Sequence, residues 1–252
     1  MVDLLLSADT ALLSALIFLA ALLYSSVGHA GASGYVAAMA LLGTAPAVMK
    51  PTALVLNILV ASLGTARWHR LSLVNWKALL PLLIASIPCA FIGGAMNLPV
   101  TWYRALVGVL LIAAAIKLIV QPRAPDAAGE QAASIPLAGG LISGGSVGLL
   151  SGLTGTGGGI FLSPILLFFG WAGPRQASGI TAPFILVNSI AGLAGNLLVL
   201  NALPPELPWL AMAAFSGGLI GTQIGIRWAS GFQLQRLLGV VLLIAGLKFL
   251  WV

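Results

Sequence analysis

Long apolar runs, separated by short stretches holding single basic residues, glycines and prolines, recur along the whole chain. Typical are "ALLSALIFLAALLYSSVG" (11–28) and "RALVGVLLIAAAIKLIV" (104–120). Each is close to the ~20 residues that carry a helix across a ~30 Å hydrocarbon core. The runs lack the alternating polarity of a membrane β-barrel. They predict helices at about 11–27, 51–66, 76–95 and 103–120, then at 135–151, 179–200, 207–228 and 233–251. Two shorter pieces, 35–43 and 159–170, rise only about 13–18 Å as helix, too little to cross comfortably. Each predicted half thus has five pieces: a helix, a short half-helix after a glycine run, and three spanning helices.

Composition sharpens this picture. The 252 residues are 60% hydrophobic and only 6% charged, where soluble proteins carry about 25% charge; mean hydropathy is +1.10. The expectation is an all-α polytopic membrane protein of the cell (inner) membrane. The first run has Asp3 and Asp9 in place of a basic leader region, so it reads as a span and not as a signal peptide. The single cysteine, Cys89, lies in an apolar run and reads as a small buried hydrophobe. The net charge of +6 comes from basic residues scattered at helix ends, the pattern of topology determinants and not of a nucleic-acid surface.

The two halves match in order. "GHAGASG" (28–34) aligns with "GLTGTGG" (152–158), "NILVASLG" (57–64) with "NSIAGLAG" (188–195), and "VGVLLIAAAIKL" (107–118) with "LGVVLLIAGLKF" (238–249), Lys117 over Lys248. This register sets Ser33 and Tyr35 opposite Gly157 and Gly159. The expected organisation is an N-terminal transmembrane repeat (1–122), a cytoplasmic connecting loop (123–134) and a C-terminal repeat (135–252). If the repeats are inverted in topology, Arg67, Arg70, Lys77, Lys117, Arg123, Arg175, Arg227 and Arg236 share one side. Lys50, Arg104 and Lys248 then lie opposite. This split follows the positive-inside rule better than a parallel duplication does.

"GLTGTGGG" (152–159) holds five glycines and two threonines. Glycine costs a helix about 0.8–1 kcal/mol relative to alanine, so such a cluster marks a place where the backbone opens. Open backbone at membrane depth must be buried in protein or line a cavity. Paired interruptions in inverted repeats point to the central site of a transporter. A half-helix starting there offers free N–H groups and the positive end of its dipole, an anion site without a buried cation. Gly144, Gly148 and Gly152 read instead as close-packing residues.

At these motifs, and at "TAPFILVNSIAG" (181–192), the chain resembles the TauE/SafE sulfite-exporter family over its whole length. The resemblance implies export or uptake of sulfite or small organosulfur anions such as sulfonate or thiosulfate. The residues themselves reach only a small anion.

The candidate substrate-binding residues are Gly31, Ser33, Gly34, Thr154, Gly155, Thr156, Gly157 and Gly158 in the breaks. Asn57, Asn188, Thr52, Thr181 and Gln223 join them on neighbouring helices. Each polar member has a structural rival: back-bonding for the threonines, inter-helix bonding for the amides. His29, inside the first glycine motif, is the candidate for proton coupling; His69 sits in a basic loop. No catalytic pair, metal site or cofactor is expected, since all five acidic residues fall in termini and loops. The expected partners are a small anionic substrate, a coupling proton and the lipid bilayer. The rival functions are a passive anion channel and a non-transporting structural subunit.

Overall fold

The computed structural model describes residues 8–26, 28–120, 134–198 and 203–227, together with 240, 242–244, 246, 247, 250 and 251. The connecting loop 123–134 (except Ser134) and the second-half fifth segment before Val240 lie outside the described residues. So do the side chains of Lys117, Arg123, Arg175, Arg227, Arg236 and Lys248. Among the described residues the chain is helical without strands: α1 (Ala8–Ser26), α2 (Ala32–Leu41), α3 (Pro46–Arg70), α4 (Trp76–Ala95), α5 (Val100–Val120), α6 (Leu137–Thr154), α7 (Gly159–Phe168), α8 (Pro174–Asn196) and α9 (Leu207–Arg227). Six of these are long and apolar enough to cross a membrane. Their outward faces carry large apolar side chains such as Leu80, Ile84 and Ile142, as lipid requires.

α3 and α8 begin five residues earlier than their apolar runs. Pro46 and Pro174 each occupy the first turn, where a missing N–H costs nothing and the fixed φ suits a helix. Asp9 sits in the first turn of α1, the end of the dipole that favours a carboxylate.

Glycine sets how the helices meet. Gly144 abuts the Leu82 backbone, Gly148 the Ser86 backbone and Gly152 that of Ala90. α4 and α6 therefore run side by side in the same direction, backbone against backbone at these three glycines. Gly217 against Phe18 and Gly221 against Leu22 do the same for α1 and α9. The first helix of each half thus packs on the fourth helix of the other, while α3 and α8 cross at the centre. Where the fifth segments are described, Gly108 meets Leu250 and Gly246 meets Ile112.

Both short helices double back. Gly34 of α2 lies against Ala20 and Tyr24 of α1. Beyond α7, the Trp171 carbonyl accepts from Ser134 N at 3.1 Å, just ahead of α6, and the Trp171 ring covers Gly139. Each half-helix so returns along the helix that precedes it. Leu73, after α3, packs on Gly179 near the start of α8, which brings the end of α3 and the beginning of α8 to one face.

Candidate functional site

α1 ends in a Schellman turn. Gly28, at φ 81°, donates to Ser25 O, and His29 N donates to Tyr24 O at 2.9 Å. α2 then starts from Gly31 at φ 108°, its first internal bond running from Tyr35 N to Gly31 O. The N–H groups of Ala32, Ser33 and Gly34 precede that bond and lie outside the helical ladder. α6 ends at Gly155 (φ 79°), and α7 starts from Gly158 (φ 81°) with Gly157 beside it at φ 73°. Left-handed backbone of this kind costs any L side chain about 1–2 kcal/mol, which is why both breaks are written in glycine.

These angles correct the repeat register. Gly28, Gly31 and Gly43 adopt the same left-handed conformations as Gly155, Gly158 and Gly170, always 127 positions on (28 to 155, 31 to 158, 43 to 170). The match of glycine to glycine at 28–34 and 152–158 is therefore three residues out of step. Thr156 stands opposite His29, and Gly157 opposite Ala30. Ser33 and Tyr35 belong to α2 proper, with Ile160 and Leu162 as their counterparts.

The two breaks meet at one small cavity. Tyr24, His29, Ala30, Gly31, Ala32 and Ser33 line it from the first half. Asn57 of α3, Thr156, Gly159 and Ile160 of the second break and half-helix, and Ile185 of α8 close it. Asn57 lies halfway along α3 and Ile185 halfway along α8, so the cavity is at mid-depth of the central crossing. Its volume of about 10 Å³ is room for about one water. None of the lining residues is acidic.

A chain of side-chain bonds ties the halves together there. His29 Nε2 is 2.9 Å from Ser163 Oγ on α7, and Ser163 Oγ is 3.1 Å from Thr181 Oγ1 on α8. Ser33 Oγ bonds the Tyr24 hydroxyl at 2.7 Å, and the Tyr35 hydroxyl donates to Ala30 O at 2.5 Å. Asn57 Nδ2 donates to Ser189 Oγ at 3.4 Å, while its Oδ1 is buried without a partner. Exchanging the two ends of that amide, which have nearly the same shape, would aim an N–H at the unpartnered side.

Of the sequence candidates, Gly31, Ser33, Asn57, Thr156 and His29 line the cavity. Gly157 sits just behind Asn57, Thr181 holds Ser163, and Gly34 packs on α1. Thr154 back-bonds to Leu150 O at 2.7 Å and orients the Thr156 hydroxyl at 2.9 Å. Gly155 rests on Lys50 of α3, and Gly158 on Val147 and Phe184. Thr52 is buried with its hydroxyl unpartnered. Asn188 donates Nδ2 to Phe184 O of its own helix at 2.8 Å, its Oδ1 buried without a partner as in Asn57, and Gln223 is exposed on α9. Neither lines the cavity.

Tyr24, Ser163 and Ser189 carry bonds at the site that the sequence reading did not assign. The signal available was polarity: Ser163 is the lone hydroxyl in the apolar half-helix "GIFLSPILLF". Among the described residues no cluster of His, Cys, Asp or Glu could hold a metal.

Six apolar spans with two short helices that double back between them make this a multi-pass membrane protein. The family described as "Sulfite exporter TauE/SafE" matches residues 13–249, and the chain belongs to that family of membrane transporters. It is 42% identical over 245 residues to "Probable membrane transporter protein y4hK" of Sinorhizobium fredii (strain NBRC 101917 / NGR234), covering 93% of this chain and 95% of that protein. A "Probable membrane transporter protein" of Xylella fastidiosa (strain Temecula1 / ATCC 700964) is 32% identical over 114 residues, 43% of this chain and 41% of its own length. No solved structure matches the chain.

Proposed function

We propose that the protein is a secondary transporter of a small sulfur oxyanion, sulfite or an organosulfur anion such as sulfonate or thiosulfate. The anion is held at the N-terminal ends of α2 and α7 and moved by alternating access, without chemistry on the substrate. The observation that carries this reading is the convergence of both half-helix starts, at Gly31 and Gly159, with the Asn57 side chain at one mid-depth cavity. Backbone N–H groups at two helix starts supply positive potential where lipid makes a full charge costly. The family's description supplies the sulfur chemistry.

Two inverted repeats support the cycle: α1 with α9, and α4 with α6, run in parallel, an exchange that suits halves of opposite orientation. The basic loop of Arg67, Arg70 and Lys77 then faces the cytoplasm. At about 10 Å³ the cavity must widen before any polyatomic anion can enter.

Protein reconstituted in liposomes should take up labelled sulfite against unlabelled internal sulfite by counterflow. Thiosulfate and sulfonates should compete, and carboxylates and neutral analogues should not. Uptake without counterflow would assign a channel; no uptake of any sulfur anion would overturn the reading.

A further inference from the structure

Two of the three cations on α3, Lys50 and Arg67, bond to other helices, and among the described residues no carboxylate is an acceptor of either. Near its beginning, buried Lys50 donates through Nζ to Gly93 O (3.0 Å), Gly94 O (2.7 Å) and Met96 O (3.0 Å). These carbonyls belong to the C-terminal end of α4, where the helix leaves acceptors unused and its dipole is negative. Asn196, the last residue of α8, donates to the same Gly94 O at 3.3 Å. Near the other end of α3, Arg67 Nη1 donates to Leu219 O at 3.0 Å and to the Thr222 hydroxyl, both on α9. One central helix is thus fastened at opposite faces to the fourth helix of each half.

An ammonium taken out of water needs a partner for each of its three donors, and Lys50 has three. Neutral carbonyls satisfy those donors without cancelling the charge, so the set can be exchanged for water once a path opens. A buried carboxylate partner would instead leave an uncompensated charge behind when the pair came apart. Lys50 also touches the site through its backbone: a side chain at Gly155 would lie 2.9 Å from Lys50 O. Separation of α3 from the end of α4 therefore bears directly on the second break. Between the two fastenings lies the cavity, with room for about one water.

We propose that Lys50 and Arg67 are the two gate latches of the protein, Lys50 closing the face where α4 ends and Arg67 the face where α9 ends. Their purpose rests on the transport reading; the geometry of closure does not.

The test places a reporter thiol on the cavity wall, Ala30→Cys, in a Cys89→Ser background. A membrane-impermeant maleimide is added to right-side-out and to inverted membrane vesicles. Lys50→Met should raise labelling several-fold from the α4-end face only, and Arg67→Met from the α9-end face only. Asn196→Ala and Thr222→Val, which remove one bond from each latch, should move labelling in the same directions by less. They decide the matter if either larger substitution prevents folding. Unchanged labelling, or a rise from the same face for both latches, overturns the proposal. Sulfite counterflow in vesicles of the native chain, without the Ala30 reporter, separates the two readings. Shifted labelling with no native flux keeps the latches and removes the anion, while native flux with unmoved labelling removes the latches.

Discussion

The two glycine breaks occupy equivalent places and work differently. The first, Gly28-His29-Ala30-Gly31, has left-handed backbone only at its ends and carries an imidazole between them, which reaches Ser163 in the other half. The second, Gly155-Thr156-Gly157-Gly158, has a third left-handed residue and only a hydroxyl in place of the imidazole. Without a Cβ at Gly157 its backbone comes up against Asn57, which the other half supplies. One break extends a side chain across the repeat boundary and the other receives one. A duplicated scaffold has thereby become an asymmetric site: a titratable group on one side of the cavity, bare backbone on the other.

The sharpest way to break this comparison is to write the first break's residue into the second. Gly157→Ala places a Cβ 2.5 Å from Asn57 Nδ2 and 2.8 Å from Ile185 Cγ2, on backbone that costs alanine about 1–2 kcal/mol. Misplacing the Asn57 amide by about 1 Å is expected to lower sulfite flux about 10²-fold while the protein still elutes as a single folded species. The reverse change, Ala30→Gly, introduces no clash and is expected to cost only about 0.4–1 kcal/mol through the unfolded chain. Liposome flux beside size-exclusion profiles checks both. Equal losses in the two variants would mean that the breaks are interchangeable.

His29→Gln comes next. Histidine is the cavity's side chain that can change charge near neutral pH, and no acidic residue lines the cavity. Glutamine can keep a bond to Ser163 but takes no proton. Flux of a sulfonate, which stays ionised near neutral pH, should therefore lose the pH dependence of the native protein in this variant. A pH profile that survives the substitution would leave the first break with a structural role only.

This contrast also marks how far the sequence could be read. The spans and both interruptions were legible because apolar runs and glycine clusters report directly on membrane depth and backbone freedom. The register was not. Residue identity aligned Gly28 with Gly152, whereas left-handed backbone pairs Gly28 with Gly155, and a string of letters does not show which glycines need a positive φ. Asn188 matches Asn57 in the sequence, yet its Nδ2 bonds Phe184 O of its own helix and it does not line the cavity. Lys50 counted only as a charge on one side of the membrane, because its acceptors on α4 lie more than forty residues along the chain. Long-range partners of that kind follow from helix crossing and not from local pattern.

The two asparagines sharpen the comparison at smaller scale. Asn57→Ala removes the amide that faces the cavity, and a lost hydrogen bond of about 1.5 kcal/mol corresponds to about tenfold weaker binding. Asn188→Ala removes a bond within α8 and should leave affinity unchanged while lowering thermal stability. Titration calorimetry with sulfite on both purified variants measures the difference directly. An equal loss of affinity would restore Asn188 to the site.

The smallest expected effect tests the register itself. Gly43 and Gly170 follow the two half-helices, both left-handed (φ 75° and 65°), and a Cβ at either would meet nothing within 4 Å. Each helix ends there in the same pair of bonds, from the glycine N to the residue three back and from the next N to the residue five back. Alanine at either position therefore pays only for backbone conformation, about 1 kcal/mol, a fall in melting temperature of about 2–4 °C for a chain of this size. Both variants should lose the same few degrees in thermal unfolding and transport as the native protein does. A loss several times larger at one of them would mean that the two half-helices end in different surroundings, and that the 127-residue correspondence stops at the breaks.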